Sequence, residues 1–173
     1  TGAFSQVVYV DINAGGANDG TSWANAYTNL ETALSNAGAG NELWVAQGIY
    51  VPSTNFDIPA DVKVYGGFSG FGTETVLSDR QIEFNLTILS GDVNGDDVIT
   101  APFPTLTFGN RADNRSQIVR FDNVGTLSVL DGFTISGGEN AGSGGGMLIQ
   151  YCSPTIRNVR FESNGALSGG AIA

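Results

Sequence analysis

The sequence contains no histidine, and its single cysteine is Cys152. The absence of histidine excludes Ser-His-Asp and Cys-His nucleophilic catalysis, and it excludes zinc sites with imidazole ligands. One cysteine excludes an intrachain disulfide and a cysteine-rich metal site. Catalysis that depends on imidazole is therefore ruled out, whereas chemistry based on carboxylates stays open.

Positive charge is also scarce. Seven lysines and arginines stand against 17 aspartates and glutamates, and the formal net charge is -10. Nucleic-acid-binding domains need a cationic face that displaces counterions from phosphates, and seven scattered cations do not build one. The sequence also lacks a run of about 18 apolar residues, which a membrane-spanning helix requires. We therefore expect no nucleic-acid partner and no transmembrane segment.

The residues that are abundant suit a folded domain outside the cell. Hydrophobic residues make up 41% of the 173 positions, which is enough for a core, and 25 residues are glycine. The chain opens with Thr-Gly-Ala-Phe-Ser, a start typical of a secreted protein after signal cleavage or of a trimmed chain. Acidity, scarce lysine and abundant glycine favour an extracellular location or the bacterial cell surface.

One segment, residues 22–37, has the apolar periodicity of a helix. Its apolar residues recur at spacings of three and four positions and form one stripe. Ser22 is the expected N-cap, and Gly38 and Gly40 are expected to end the helix. The stripe predicts a helix that packs on the core.

Eight short runs rich in β-branched and aromatic residues predict strands. They are residues 7–10, 43–45, 62–65, 86–89, 118–121, 127–135, 147–149 and 155–161. Val45, Val64 and Ile88 are separated by 19 and 24 positions, with no helix pattern between them. Such separations are long for hairpins, and we interpret these strands as successive turns of a coil.

The clearest internal repeat lies near the end of the sequence. Residues 133–135 match residues 159–161 at an offset of 26 positions, and residues 144–147 match residues 169–172 at an offset of 25. A fixed period in this range is typical of stacked repeats, in which a unit's backbone edges stay unpaired until a neighbour stacks on it. The composition and the period together predict an all-β solenoid.

Two sets of motifs resemble known bacterial proteins. FESN at residues 161–164, followed by GGAI at residues 169–172, resembles the FxxN and GGA[ILV] repeat pair of polymorphic outer-membrane-protein adhesins. The segments at residues 9–11, 19–23, 43–50 and 65–68 resemble the opening of large secreted bacterial right-handed β-helix proteins. GGGM at residues 144–147 departs from the GGA pattern, so the penultimate repeat matches only approximately.

The resemblance implies an all-β chain folded as a right-handed parallel β-helix (solenoid) with an N-terminal capping α-helix. Residues 1–40 would hold the first strand, a loop and the capping helix, and residues 41–173 would hold the β-helix rungs. Because no polar capping segment follows the last rung, we expect that the helix continues in a longer protein or that the open rung stacks on something else.

The segment DVNGDDV at residues 92–98 resembles the first half of a calcium-binding loop. Side-chain oxygens alternate at Asp92, Asn94 and Asp96, and the Val98 carbonyl is the candidate for the seventh loop position. Hard cations favour such oxygen ligands in a tight turn. These four residues are the predicted calcium ligands.

Two departures argue against a complete EF-hand loop. Asp97 stands where that loop has glycine, and Phe103 stands where it has a bidentate glutamate. We therefore expect either a partial calcium loop that is completed from elsewhere, for example by Asp113, or a solvated acidic turn. A second oxygen-rich loop at residues 11–20 is explained by turn formation, with cation binding as its alternative.

Polysaccharide lyases and hydrolases on β-helices use clustered acidic and basic side chains, and inverting hydrolysis needs two carboxyl groups about 6.5–9.5 Å apart. The candidates for such a cluster are Asp79, Arg80, Asp122, Asp131, Arg120, Arg157 and Arg160. The alternative is that Arg120, Arg157 and Arg160 form exterior ion pairs with Asp122, Asp131 and Glu162. Candidate aromatic contacts for a sugar are Tyr65, Phe68 and Phe71.

Three functions follow from these observations. The leading one is a non-catalytic, structural or adhesin-like β-helix module of a bacterial surface or secreted protein, with a glycan or a surface protein as its partner. The first alternative is the N-terminal part of a polysaccharide lyase or glycoside hydrolase. The second alternative is a filament subunit that self-associates through its open C-terminal rung. Calcium is the one cofactor that the sequence suggests.

Overall fold

The computed structural model describes residues 6–101 and 107–173. Residues 1–5, on which part of the secretion hypothesis rests, lie outside the described residues. Phe103, the twelfth position of the acidic loop, also lies outside them.

The described chain is mostly β, with one α-helix, α1, at Leu30–Asn36. Short 3-10 turns occupy Leu77–Asp79 and Arg111–Asp113. The strands are β1 (Val7–Val10), β2 (Glu42–Ala46), β3 (Gly48–Tyr50), β4 (Phe56–Asp57), β5 (Lys63–Phe68), β6 (Thr87–Ser90), β7 (Val98–Ala101), β8 (Thr107–Gly109), β9 (Val119–Asp122), β10 (Val129–Ser136), β11 (Glu139–Ser143), β12 (Met147–Gln150), β13 (Thr155–Glu162) and β14 (Gly165–Ser168). Each of the eight predicted strands is present, with ends shifted by a few residues.

The strands pair almost entirely in parallel. A curled seven-stranded sheet has the order β1-β2-β5-β10-β6-β3, with β13 also paired to β10. A three-stranded parallel sheet has the order β12-β9-β4, and β11 pairs with β14. In the described part of the chain, only β7 and β8 form an antiparallel pair. The mostly β prediction is confirmed, and closure of the sheets into a right-handed solenoid stays a prediction.

The registers of these ladders confirm the repeat that was read from the sequence. Phe133 of β10 lies opposite Val159 of β13, which is the 26-residue offset. Met147 forms a parallel bridge with Ile172, which is the 25-residue offset. The two matched repeats therefore lie directly on one another.

β5 and β6 belong to one layer instead of two successive turns. Residues 129–131 of β10 pair with β5, and residues 134–136 of the same strand pair with β6. β2 and β3 pair with β5 and β6 in the same way. The interpretation of Val64 and Ile88 as successive turns is therefore wrong, because residues 69–86 are an excursion within one layer.

Alternation along the strands separates two apolar clusters. Leu43 and Val45 of β2 face the main core, which lies between the two large sheets and also receives Phe121 and Leu130. Trp44, on the opposite face of β2, belongs to an outer cluster. The members of the outer cluster are Trp23, Trp44, Ala46, Tyr65, Phe68 and Val129. The period of two that predicts a strand thus also builds two packed faces.

The helix begins at Leu30, so the prediction that it starts at Ser22 is wrong. The N-cap is Asn29, whose side-chain oxygen accepts a hydrogen bond from the Thr32 N–H at 2.9 Å. Upstream, the Tyr27 N–H donates to the Tyr9 carbonyl at 2.9 Å, and the Tyr27 carbonyl accepts from the Asp11 N–H at 2.9 Å. Because the backbone of Tyr27 pairs with β1, it is not free for helical hydrogen bonds. The helix itself packs against β1 and β4.

Candidate functional site

The acidic loop lies between β6 and β7, and Asp92 organises its backbone. Asp92 Oδ1 accepts hydrogen bonds from the N–H groups of Gly95 and Asp96 at 2.8 and 3.1 Å. Its Oδ2 accepts from the Asp97 N–H at 3.2 Å. One carboxylate therefore holds three consecutive amides and forms a tight turn, as short acidic residues in turns do.

Asp113 joins this loop from a distant part of the chain. It lies in the 3-10 turn that follows β8, and its Oδ2 accepts a hydrogen bond from the Asn94 N–H at 2.9 Å. One carboxylate oxygen from each of Asp92, Asp96 and Asp113 lies within 4.8 Å of the other two. The residue suggested from sequence as a completing ligand is thus next to the loop.

The surroundings of Asp96 make its ionisation more costly. Loss of solvation, together with the charges of Asp113 and Asp92, raises the pKa of the Asp96 carboxyl above its ordinary value. Repulsion between like charges at this separation favours either a shared proton or a bound cation. Asp96 is exposed, whereas Asp92 and Asp113 are half-buried.

The other predicted ligands have different roles in the structure. Asn94 contributes its backbone N–H to Asp113, and Val98 begins β7 opposite Gly109. Asp97, the residue that departs from the EF-hand pattern, contacts the segment after β8 instead of the carboxylate cluster. Its Oδ2 accepts a hydrogen bond from Asn114 Nδ2 at 2.9 Å and lies 3.7 Å from Arg111 Nε. The clustered oxygens are therefore those of Asp92, Asp96 and Asp113.

Two residues that the sequence did not single out attach this region to the sheets. Arg111 forms an ion pair with Glu139 at 3.1 Å and donates to the Gly138 carbonyl at 2.9 Å. Asn114 Nδ2 donates to the Gly137 carbonyl at 2.7 Å. Both contacts reach the turn between β10 and β11, so the position of the acidic loop depends on long-range contacts that no local motif signals.

A second charged cluster surrounds Asp131 on β10. Asp131 lies 3.3 Å from Arg80 and 3.7 Å from Arg157 through the same oxygen, and its other oxygen accepts from Asn158 Nδ2 at 2.8 Å. The carboxylate is nearly buried, with 5% of the side chain exposed. Asp131, Arg80 and Arg157 come from the list of candidate catalytic groups, but their contacts are those of a structural ion pair.

The remaining candidate acids lie apart from this cluster. Asp122 ends β9 in the three-stranded sheet, whereas Asp131 lies in the seven-stranded sheet. Asp79 accepts from the Thr75 and Val76 N–H groups, which lower the pKa of its carboxyl. The structure does not bring Asp122 and Asp131 onto adjacent paired strands.

Two of the three arginines lie beside the carboxylates expected for them, although Asp131 is buried, so its pair with Arg157 is not an exterior one. Arg157 lies beside Asp131, and Arg160 contacts Glu162. Arg120, expected beside Asp122, instead pairs with Asp57 at 2.6 Å, so that prediction is wrong. The cause is the β4–β9 register, which places Arg120 directly opposite Asp57.

The candidate sugar-contacting aromatics separate into two groups. Tyr65 and Phe68 are buried in the outer cluster, so their proposed contact with a ligand is wrong. Phe71 is 81% exposed. The exposed ring lies in the excursion between β5 and β6.

In the oxygen-rich loop at residues 11–20, side chains stabilise turns. Asp19 accepts from the Thr21 hydroxyl and N–H, and these bonds lower the pKa of its carboxyl. Asn18 Oδ1 accepts from the Thr28 N–H at 2.8 Å. Turn formation accounts for these two residues.

No family model, curated protein or solved structure matches the chain. The resemblance to polymorphic outer-membrane-protein adhesins therefore stays a prediction. Among the described residues, no helix combines the length and the apolar character that a membrane crossing requires.

Proposed function

We propose that the chain is a non-catalytic, extracellular right-handed β-helix module of a bacterial surface or secreted protein, with a structural or adhesin-like role. The observation that carries this proposal is the register of the parallel ladders. Lys63 pairs with both Glu42 and Val129, and Val129 pairs in turn with Thr155. These residues thus stack in one column across four parallel strands, although the β2–β5 ladder shifts its register between Trp44 and Ala46. Such stacking is the arrangement expected of β-helix coils.

The second sheet supports the same proposal. Val119 of β9 pairs with Phe56 of β4 and with Met147 of β12. Strands of this sheet alternate along the chain with strands of the seven-stranded sheet. A chain that returns alternately to the same two sheets, and adds a parallel strand each time, has the path expected of a coil.

The surroundings of the acidic residues favour a non-catalytic role. The Asp131 carboxylate is engaged by Arg80 and Asn158, and general acid or base catalysis would require a carboxyl group within reach of a substrate proton. Asp122, the candidate second carboxyl group, lies on a different sheet. A rigid scaffold that presents a binding surface explains these groups better than a glycosidase dyad does.

We propose further that Asp92, Asp96 and Asp113 bind one calcium ion. Three carboxylates within 4.8 Å provide hard, anionic oxygen ligands, and calcium takes six to eight of these in flexible geometry. The pKa of Asp96 is raised by loss of solvation and by the neighbouring carboxylates, and the ion would neutralise the repulsion from those carboxylates. It would also link the loop before β7 to the turn after β8, and so hold the base of that hairpin.

An adhesion assay with an activity control tests the main proposal. Beads coated with the chain should be retained on layers of immobilised glycans or host-surface proteins, and beads coated with heat-unfolded chain should not. Incubation with uronate and neutral polysaccharides should give no new reducing ends and no unsaturated products. Turnover that is lost in the Asp131→Asn variant would identify an enzyme and overturn the proposal.

A further inference from the structure

A groove of about 350 Å³ lies where the loop after β1 meets the excursion between β5 and β6. It is lined by, among others, Asp11, Asn13, Trp23, Gly70 and Phe71. Its volume falls in the range of about 300–1,000 Å³ found for small-molecule sites. It contains none of the three clustered carboxylates of the proposed calcium site.

The floor of the groove carries a buried carboxylate with one free oxygen. Asp11 is 8% exposed, and its Oδ1 accepts a hydrogen bond from the Asn13 N–H at 2.9 Å. Its Oδ2 accepts no hydrogen bond from any residue in the described part of the chain. This oxygen keeps some contact with solvent, so it is an acceptor that a ligand in the groove can reach.

The backbone of Gly70 lies close to this oxygen. Its φ is +82°, and a Cβ at this position would lie 2.6 Å from Asp11 Oδ2 and 2.9 Å from the Ala46 Cβ. The left-handed backbone accounts for glycine at this position. The missing side chain has a second effect, because a Cβ would clash with Asp11 and Ala46 and prevent this close approach of the excursion to the carboxylate.

The wall of the groove is aromatic. Phe71 is 81% exposed next to this cavity. Trp23 is nearly buried, and its indole N–H is already used by the Glu74 carbonyl at 3.2 Å, so it presents apolar ring surface to the groove. A ligand with hydrogen-bond donors on one side and an apolar face on another therefore matches both surfaces of the groove.

The geometry points to a binding site for one pyranose residue of a glycan. The sugar's hydroxyls would donate to Asp11 Oδ2, and one C–H face of the ring would lie on Phe71. A hydrogen bond to an ionised carboxylate is stronger than one between neutral groups, and it provides the orientation that the flat aromatic contact lacks. The inference rests on the proposed adhesive function and assigns the ligand class and the site.

A divalent cation fits this groove less well. Calcium needs six to eight oxygen ligands, and magnesium needs near-octahedral geometry. Among the described residues that line the groove, Asp11 is the only carboxylate. The aromatic wall would also leave much of such an ion's surface without ligands.

Titration with methyl pyranosides tests the site in the full chain. The probes are methyl glycosides of glucose, galactose, mannose and N-acetylglucosamine, followed by saturation-transfer NMR and by tryptophan fluorescence, since Trp23 lines the groove. We expect millimolar binding of at least one of them. Phe71→Ala should weaken binding about tenfold, and Asp11→Asn should weaken it by at least as much.

Phe84→Ala is the matched control, because Phe84 is 80% exposed and does not line this groove. It should bind the pyranoside as the unaltered chain does. Thermal unfolding of Asp11→Asn shows whether the loop after β1 is intact in that variant. Phe71→Ala removes only an exposed ring, so it tests pyranoside binding at the groove even if Asp11→Asn disturbs the loop. Equal binding of the pyranoside by the Phe71→Ala and Phe84→Ala variants would overturn the assignment of this groove as the binding site.

Two further outcomes also contradict the inference. The first is the absence of saturation transfer from every pyranoside at tens of millimolar. The second is binding of tetramethylammonium alone, since a carboxylate beside an aromatic ring also suits a quaternary amine. Bead adhesion that persists in the Phe71→Ala variant and in excess free pyranoside would reject this groove but keep the adhesive function. Failure of the unaltered chain to adhere at all would reject the adhesive function itself.

Discussion

The guanidinium of Arg80 lies 3.3 Å from the carboxylate of Asp131, although 51 positions separate the two residues. Both side chains are largely buried, with exposed fractions of 12% and 5%. Arg80 also donates to the carbonyls of Gly66 and Asp131 at 3.4 and 3.3 Å. This ion pair fastens the excursion between β5 and β6 to the middle of β10.

Removing Asp131 should therefore cost far more stability than removing an exposed acid. We expect Asp131→Ala to lower the free energy of unfolding by about 3–5 kcal/mol, because it leaves the Arg80 charge buried without a partner. Glu162→Ala, which removes the partner of the exposed Arg160, should cost about 0–1 kcal/mol. Urea denaturation of both variants measures the difference, and equal losses would refute a special role for the buried pair.

Asp96→Asn should have opposite effects with and without calcium. Without calcium, the variant removes one of three repelling carboxylates, so its melting temperature should rise at neutral pH. With millimolar calcium, the unaltered chain should gain stability and the variant should gain much less. Differential scanning calorimetry with calcium and with a chelator measures both effects.

Asp122→Asn is the control for this calcium experiment, because Asp122 is an exposed acid outside the cluster. It should retain the full calcium shift. If calcium produces neither heat nor a thermal shift in the unaltered chain, the acidic loop is a solvated turn. A shift of equal size in Asp96→Asn would place the ion elsewhere.

The carboxylate of Asp79 should stabilise the chain only above acidic pH. Hydrogen bonds from Thr75 and Val76 lower the pKa of Asp79 in the folded state, so the ionised form contributes stability above the unfolded-state pKa of about 3.9. That contribution is lost as the pH falls through the lower folded-state pKa. We expect Asp79→Ala to be less stable than the unaltered chain at pH 7, with the difference shrinking in strong acid.

Unfolding curves from neutral pH down to about pH 2 measure this dependence. Glu83→Ala, which removes an exposed acid from the same excursion, is the matched control and should show a smaller difference at every pH. A difference for Asp79→Ala that stays constant across the range would mean that packing, and not the charge, is responsible.

Glycines at close backbone contacts should be sensitive to added side chains. A Cβ at Gly145 would lie 2.2 Å from the Gly165 carbonyl oxygen, a distance that requires the two layers to separate. We expect Gly145→Ala to destabilise the chain by about 1–3 kcal/mol. Gly15, where a Cβ would meet nothing within 4 Å, provides the control, and Gly15→Ala should change stability by less than about 1 kcal/mol. Chemical denaturation of the two variants checks the contrast.

The strands could be predicted from the sequence because each carries its own signal. Along β2, Leu43 and Val45 alternate with Trp44 and Ala46, and both faces are buried. The start of the helix could not be predicted in this way. Trp23 and Tyr27 fit the helical stripe, but the long-range pairing of Tyr27 with β1 overrides that local pattern.

The candidate sites also combine a part that a local motif predicts with parts that depend on long-range contacts. The alternating oxygens at Asp92 and Asp96 form a local motif, and these two residues belong to the carboxylate cluster that the structure contains. The anchoring contacts of Arg111 depend on the turn between β10 and β11, which lies more than twenty residues away in the sequence. The groove at Asp11 likewise depends on Gly70 and Phe71, which another part of the chain contributes.

The way β10 spans β5 and β6 has a consequence for how this protein could diversify. One uninterrupted strand holds both shorter strands in register. We therefore expect that the tip of the excursion, around residues 71–73, can change in length and sequence without altering the ladder. That tip carries Phe71. In the proposed glycan site, recognition and scaffold would thus be encoded in separable stretches, and we expect a different loop grafted at this point to change the specificity of the same framework.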